Sequence, residues 1–190
     1  MSKLDKLFVM RIIMPIILAF LLLFGIGCGE DQPVQRPGVN PPVTTFYLIR
    51  HAEKDRSDPE AIDPELNQSG LGRAMHWAEI LNEVNLGAIY TTDFERTSMT
   101  AAPASVKQDI TVQYYDPDTL DVNQLVQDNL GKNVLIVGHS NTTPALANKL
   151  IGKEKYGPMD DYDNGSLYIV QRVGDATTDM RLVFNCNCPD

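Results

Sequence analysis

Two arginines and two histidines are the residues of this sequence that could do chemistry together. Arg50 and His51 follow an apolar run, Arg96 lies shortly after a second apolar run, and His139 lies at the end of a third. Guanidinium groups bind phosphoryl oxygens in a bidentate manner, and a neutral imidazole is a competent nucleophile at neutral pH. If the fold brings these four side chains together, they could bind a phosphoryl group and attack its phosphorus atom.

The apolar runs before these residues are predicted strands. Residues 46–49, 88–91 and 134–137 are short and apolar, and most are rich in β-branched residues, which is typical of buried strands. Open α/β sheets bind their ligands at the carboxyl ends of strands. The arrangement therefore predicts a ligand site at one edge of the sheet, with Arg96 contributed by the helix that follows the second strand.

Strands alternate with helices along the rest of the chain. This alternation predicts the α/β class, as a three-layer α/β/α sandwich with a mainly parallel central sheet. The predicted helices are residues 71–84, 94–106, 121–130 and 142–151, and the further strands are 111–115, 166–173 and 180–184, the last two as an edge hairpin.

Capping and breaking residues refine the helix predictions. Ser69 is the predicted N-cap of the first helix, and Gly87 marks its end. Pro103 is expected to kink or break the second helix. Asn141 or Thr142 is expected to cap the last.

Three motifs resemble those of the histidine phosphatase superfamily, whose fold is also called phosphoglycerate-mutase-like. They are Arg50-His51, the stretch Thr-Thr-Asp-x-x-Arg-Thr-x-x-Thr-Ala at 91–101, and Gly138-His139, in this order and spacing. The resemblance covers roughly residues 45–170. It implies a phosphatase that needs no cofactor or metal and forms a phosphohistidine on His51, which water then hydrolyses.

The same resemblance implies a role for each matching residue. Arg50 and Arg96 would bind the phosphoryl oxygens bidentately, and His139 would donate a further hydrogen bond. Backbone N–H groups near Ser140 and Asn141, at a helix start, would add partial positive charge. The ring of His51 must stay unprotonated at one nitrogen in order to attack, so we expect a backbone carbonyl to hold the other N–H.

The general acid that protonates the leaving group is less clearly marked. Many members of the superfamily supply a glutamate after the third strand, whereas this sequence has Asp116, Asp118 and Asp121 there. Asp116 is nearest to the strand end and is therefore the predicted acid. Glu53, close to His51 in the sequence, is the alternative, although the corresponding glutamate in relatives is usually structural.

Two other functions are compatible with parts of the sequence. A degenerate domain of this family could bind a phosphorylated ligand without hydrolysing it, and the unclear acid favours this reading. The stretch Gly138-His139-Ser140-Asn141-Thr142 nearly matches the Gly-x-Ser-x-Gly motif of α/β-hydrolases, which would make Ser140 the nucleophile of an esterase. The order of triad residues argues against the esterase, because no histidine follows His139. Three histidines without a His-x-x-x-His pair also give no recognisable metal-ligand set.

The acidic stretch at residues 155–165 resembles a calcium-binding loop only superficially. Asp160, Asp161 and Asp163 precede Gly165, but with Asp161 in the first position the twelfth is Arg172 instead of glutamate. We expect a solvated acidic turn that could line the rim of the substrate cleft.

The N-terminal residues are typical of an exported lipoprotein. Three basic residues precede an apolar run at 12–26, which Gly27 and Cys28 follow. We therefore predict a signal peptide (1–27), a lipidated Cys28 with a proline-rich tether (28–43), and a phosphatase domain (44–190) outside the cytoplasm; an uncleaved anchor is the alternative.

Composition restricts the partners. A net charge of −9 argues against nucleic acid, so the expected partners are a phosphorylated small molecule or lipid headgroup and, through the anchor, a membrane.

Cys186 and Cys188 could pair, bind metal or have no role, and the preferred reading is a surface tail with an oxidised pair.

Overall fold

Residues 41–186 are described in the computed structural model. Their six strands and four helices alternate as the sequence predicts. In chain order these elements are β1 (Val43–Arg50), α1 (Gln68–Ile80), β2 (Leu86–Thr91), α2 (Glu95–Gln108), β3 (Val112–Tyr114), α3 (Val122–Asp128), β4 (Asn133–Gly138), α4 (Thr142–Ile151), β5 (Ser166–Val173) and β6 (Ala176–Val183).

The strands form one sheet in the order β3-β2-β4-β1-β5-β6. The pairs β2/β3, β2/β4 and β1/β4 are parallel, whereas β5 and β6 form an antiparallel hairpin at one edge. The predicted mainly parallel sheet and edge hairpin are therefore confirmed. Because crossover helices connect the parallel strands, the carboxyl ends of these strands lie at the same edge of the sheet, where a site can form.

The hydrophobic core lies on both faces of the sheet. Phe46 and Leu48 of β1 pack on one face with residues of α3 and α4, and Ile49 packs on the other with Trp77 of α1 and Ala101 of α2. Successive side chains of a strand point to opposite faces, so a strand covered on both sides is apolar throughout. This is the predicted three-layer α/β/α arrangement.

The first helix begins and ends earlier than the sequence pattern predicts. Asn67 is its N-cap, with a side-chain oxygen that accepts the N–H of Gly70, so the prediction of Ser69 was wrong. Asn67 and Ser69 are both good caps, and local sequence cannot choose between them. Gly87 does not end the helix but lies in β2 at an irregularity of the strand pairing, where a Cβ atom would be 3.0 Å from Cβ of Lys132.

The second helix is continuous through Pro103, so the predicted break does not occur. Ala101 and Ala104 of this helix are buried against the sheet, and this packing compensates for the hydrogen bond that proline cannot donate. The helix ends instead at Asp109, whose φ of 54° is left-handed.

Several sequence predictions fall outside the described residues. The signal peptide, Cys28, most of the tether and Cys188 are among them, while Cys186 is disulfide-bonded. Within residues 41–186, no helix is long and apolar enough to cross a membrane.

Candidate active site

The two histidines of the site follow neighbouring parallel strands. Arg50, the last residue of β1, is in register with Gly138, the last residue of β4, and the N–H of His51 donates to the carbonyl oxygen of Gly138 at 2.9 Å. The ring centroids of His51 and His139 are consequently 5.4 Å apart. The sheet register thus brings together two imidazoles that are far apart in the sequence.

Gly138 is required by close packing at this junction. A Cβ atom there would lie 2.8 Å from Oγ1 of Thr143 and 3.0 Å from the hydroxyl oxygen of Tyr115. Any side chain would meet these hydroxyl groups, which would have to shift to make room for it.

His51 has the tautomer that a nucleophile needs. Its Nδ1–H donates to the carbonyl oxygen of Ala52 at 2.7 Å, so the neutral ring carries its lone pair on Nε2. Burial lowers the pKa of His51 to about 3, and the positive charges of Arg50 and Arg96 contribute to the lowering. The ring is therefore neutral at physiological pH, as the sequence analysis requires.

His139 is held by a hydroxyl group and an aromatic ring. Its Nε2 is 2.8 Å from Oγ1 of Thr92, which follows β2, and its ring meets the edge of Phe94 at a centroid distance of 5.0 Å. Burial lowers the pKa of His139 to about 4, with further lowering from Arg96 and Arg50. Thr92 belongs to the motif at 91–101, but the sequence alone assigned it no role.

Arg50 is buried and only partly engaged. Its Nη1 donates to the carbonyl oxygens of Asp160 and Asp161 at 2.9 Å each, and its Nη2 donates to the carboxylate of Asp161 at 3.0 Å. These bonds use three of the five guanidinium N–H donors. The buried Nε has no acceptor among the described residues. Two N–H donors of Arg50 therefore have no acceptor among the described residues.

Arg96 is held in place by an acidic residue of the loop after β1. Its Nη1 is 2.9 Å from a carboxylate oxygen of Asp63, and its guanidinium lies over the ring of Phe94 at 4.2 Å. The other carboxylate oxygen of Asp63 accepts the N–H of Glu95, at the start of α2. The side chain of Arg96 is largely buried, so its position is well defined.

A cavity of about 200 Å³ lies directly beside His51. The acidic loop predicted to line the cleft contributes Tyr162 and Asn164 to the wall of this cavity. The sequence alone assigned no role to most of the residues that line the cavity. These lining residues are His51, Glu53, Lys54, Arg56, Asn67, Tyr162 and Asn164.

The predicted acids are engaged elsewhere in the structure. The carboxylate of Asp116 accepts the N–H of Asp118 at 2.9 Å and the hydroxyl of Thr119 at 3.2 Å, within its own turn. Both carboxylate oxygens of Glu53 share the single Nε–H of Arg73, at 2.8 and 2.9 Å. Glu53 thus has a structural contact, and Asp116 is exposed without a described hydrogen bond to the two histidines.

Ser140 and Asn141 lie at the start of α4, as predicted. The carbonyl oxygen of Ser140 accepts the N–H of Met159 at 2.8 Å. Asn141 is the N-cap residue, without a capping hydrogen bond from its side chain, and lines a second cavity with Tyr115 and Lys149 instead of the one beside His51. Thr142 accepts the N–H of His139, so the chain turns sharply into the helix.

In the part of the chain that is described, no group of three or more His, Cys, Asp or Glu residues could hold a metal ion.

Comparison with known proteins supports the resemblance to the histidine phosphatase superfamily. The model of the histidine phosphatase superfamily (branch 1) matches residues 46–117. This range includes Arg50, His51 and Arg96. A comparison with curated proteins found no match.

Solved structures, two of them of phosphatases, share the fold at low sequence identity. A mycobacterial glucosyl-3-phosphoglycerate phosphatase has a TM-score of 0.59 and 16% identity, over 76% of this chain and 100% of that chain. The protein histidine phosphatase SixA complexed with tungstate has a TM-score of 0.58 and 13% identity, over 73% and 96%. Bacillus stearothermophilus YhfR has a TM-score of 0.57 and 20% identity, over 71% and 94%. At these identities the similarity shows the fold alone.

Proposed function

We propose that this chain is a metal-independent phosphatase that hydrolyses phosphomonoesters through a phosphohistidine on His51. The observation that carries the proposal is the hydrogen bond from Nδ1 of His51 to Ala52, because it leaves the lone pair on Nε2. The family-model match over His51 and the phosphatases among the structural neighbours support the same reading.

The reaction would have two steps. In the first, Nε2 of His51 forms a bond to phosphorus while the bond to the leaving-group oxygen breaks. The leaving oxygen takes a proton, for which Asp116 is the proposed donor. In the second step, water attacks phosphorus and gives one proton to the Asp116 carboxylate, the phosphorus–nitrogen bond breaks, and both His51 and Asp116 return to their starting forms as inorganic phosphate is released.

Positive charge around His51 would stabilise the transition state. The unengaged N–H donors of Arg50 and the guanidinium of Arg96 would bind the equatorial phosphoryl oxygens, and His139 would contact the same group. Backbone N–H groups at Ser140 and Asn141 would add partial positive charge from the start of α4. Removing one such donor typically costs about 10²- to 10³-fold in rate.

The proposed substrate is a phosphorylated small molecule or a lipid headgroup. This proposal follows from the predicted lipid anchor on Cys28, which would hold the domain outside the cytoplasm at a membrane. The named substrates of the structural neighbours differ from one another, so fold similarity does not select among phosphorylated compounds.

The test is hydrolysis of an aryl phosphate by the purified full-length chain in detergent with EDTA. Aryl phosphates have good leaving groups, so the result does not depend on the identity of the acid. We expect activity in EDTA, a loss of at least about 10³-fold in His51→Ala, and near-normal activity in His76→Ala, the matched control on α1. Absence of activity in the folded wild-type protein would contradict the proposal.

The turn contacts of Asp116 favour one alternative, a module that binds phosphorylated ligands without turnover. In that case, inorganic phosphate would bind to the wild-type protein and to His51→Ala, but not to variants of Arg50 and Arg96. Aryl phosphate would not be hydrolysed.

A further inference from the structure

The cavity beside His51 is available to the part of the substrate outside its phosphoryl group, because Arg50, Arg96 and His139 do not line it. In phosphoryl transfer the leaving group departs roughly opposite the nucleophile. With His51 on one wall, a leaving group that enters this cavity would meet the other walls, which include Lys54, Arg56 and Tyr162. The volume of about 200 Å³ is below the roughly 300–1,000 Å³ of sites for drug-sized ligands, so a small leaving group would fit.

Lys54 is a cation without an acidic partner in this cavity. Its side chain is partly buried, and no hydrogen bond or ion pair joins its ammonium group to another described residue. Its charge also contributes, as the smallest of the named causes, to the lowered pKa of His139. A partly buried, unpaired lysine in a chain of net charge −9 is a favourable place for an anion.

Arg56 is oriented by its neighbours without being fully neutralised. Its guanidinium lies 5.2 Å from the ring centroid of Tyr162, and its Nη1 is 2.8 Å from Oδ2 of Asp161. The other oxygen of the Asp161 carboxylate binds Arg50, so two cations share one carboxylate. Arg56 and Asp161 are 44% and 58% exposed, and pairs this exposed contribute only about 0–1 kcal/mol. An incoming anion could therefore compete with Asp161 for Arg56.

We propose that Lys54 and Arg56 form a subsite for an anionic group on the leaving group of the substrate. The preferred substrates would be small phosphomonoesters that carry a second anionic group, a carboxylate or another phosphate, with Tyr162 holding Arg56 in place. This inference rests on the proposed phosphatase function, and it adds a substrate class to it. Charge-assisted hydrogen bonds are stronger than neutral ones, so charge is the property that such a subsite would select.

A pair of substrates of nearly the same shape tests the proposal. The full-length protein in detergent with EDTA is given 3-carboxyphenyl phosphate or 3-carbamoylphenyl phosphate, which differ in charge. The measured quantity is the ratio of kcat/KM for the two substrates. Comparing this ratio between variants cancels the difference in intrinsic reactivity. The variants are Lys54→Gln and Arg56→Gln, with Lys153→Gln as a matched control at an exposed lysine outside the cavity lining.

We expect the ratio to fall about tenfold in Lys54→Gln and in Arg56→Gln, and to change less than about twofold in Lys153→Gln. Equal losses on both substrates, or a ratio that is the same in all variants, would overturn the subsite while leaving the phosphatase intact. If the wild-type protein hydrolyses neither substrate, both the subsite and the phosphatase function are overturned.

Discussion

At the scale of single residues, burial decides the chemistry of His51. The side chain is 4% exposed, and this burial lowers its pKa to about 3. A histidine that stays neutral throughout the physiological range can act as a nucleophile without first losing a proton. The same burial makes protonation of this residue unfavourable for the folded state.

This burial predicts a pH dependence of stability. The pKa of His51 is lower in the folded than in the unfolded state. The stability that neutral His51 contributes to the free energy of unfolding is therefore fully present above about pH 6.5 and is lost as the pH falls toward 3. The loss between pH 7 and 4.5 could reach roughly 3 kcal/mol. We expect the Tm of His51→Gln to fall less than that of the wild type over this interval. Thermal unfolding at several pH values measures this, with His76→Gln as control. Parallel curves for wild type and His51→Gln would refute the prediction.

Asp116 is the residue whose proposed role has the least structural support, because its carboxylate accepts hydrogen bonds from its own turn. If it is the general acid, Asp116→Asn should slow substrates with poor leaving groups by about 10²-fold and barely affect those with good ones. A series of aryl phosphates with graded leaving-group pKa values measures this. Asp118→Asn, in the same turn, is the matched control. An equal, small effect across the series would exclude Asp116 as the acid.

At the scale of elements, the loop after β1 is fixed by the start of α1. A Cβ atom on Gly70 would lie 2.1 Å from the carbonyl oxygen of Glu53, a distance that only glycine permits. Arg73, one turn later, binds the carboxylate of Glu53. The helix therefore positions the backbone segment that directly follows His51.

We expect Gly70→Ala to destabilise the protein by about 1–3 kcal/mol, because the backbone must move to accept the methyl group. Gly157→Ala is a close control, since a Cβ atom there meets no atom within 4 Å. Thermal unfolding should show a Tm several degrees lower for Gly70→Ala and nearly unchanged for Gly157→Ala. A Tm of Gly70→Ala close to that of the wild type would mean that the loop adjusts freely.

At the scale of the whole molecule, a strongly acidic chain carries a cationic site. The net charge is −9, yet Arg50 and Arg96 act on the pKa of His51, and Lys54 and Arg56 line the cavity beside it. The overall charge disfavours polyanions such as nucleic acids, whereas the local cluster favours a small anion that can enter the site.

The predicted lipid anchor is also a property of the whole chain. If Cys28 is lipidated, Cys28→Ser should move the protein from the membrane fraction to the soluble fraction. Cell fractionation with immunoblotting measures this, and Cys186→Ser is a control that should leave the distribution unchanged. Membrane retention of an uncleaved Cys28→Ser chain would favour the uncleaved anchor instead.

Local patterns in the sequence were sufficient for the α/β fold class and for the main candidate residues. Arg50-His51 and Gly138-His139 each follow an apolar run, and parallel strands place such residues at one edge of a sheet. The apolar runs and the residues that follow them can both be recognised from neighbouring positions in the sequence. For the same reason, local sequence could not decide between Asn67 and Ser69 as the cap of α1, where two suitable residues compete.

Only the tertiary structure decided which distant side chains meet. Asp161 binds Arg50 across 111 positions of sequence, and Thr92 contacts His139 across 47. Such contacts depend on the strand order, on the register of β1 with β4 and on the path of the loops. The cavity with Lys54, Arg56 and Tyr162 belongs to this class, because it forms only when the loops after β1 and after α4 fold against each other.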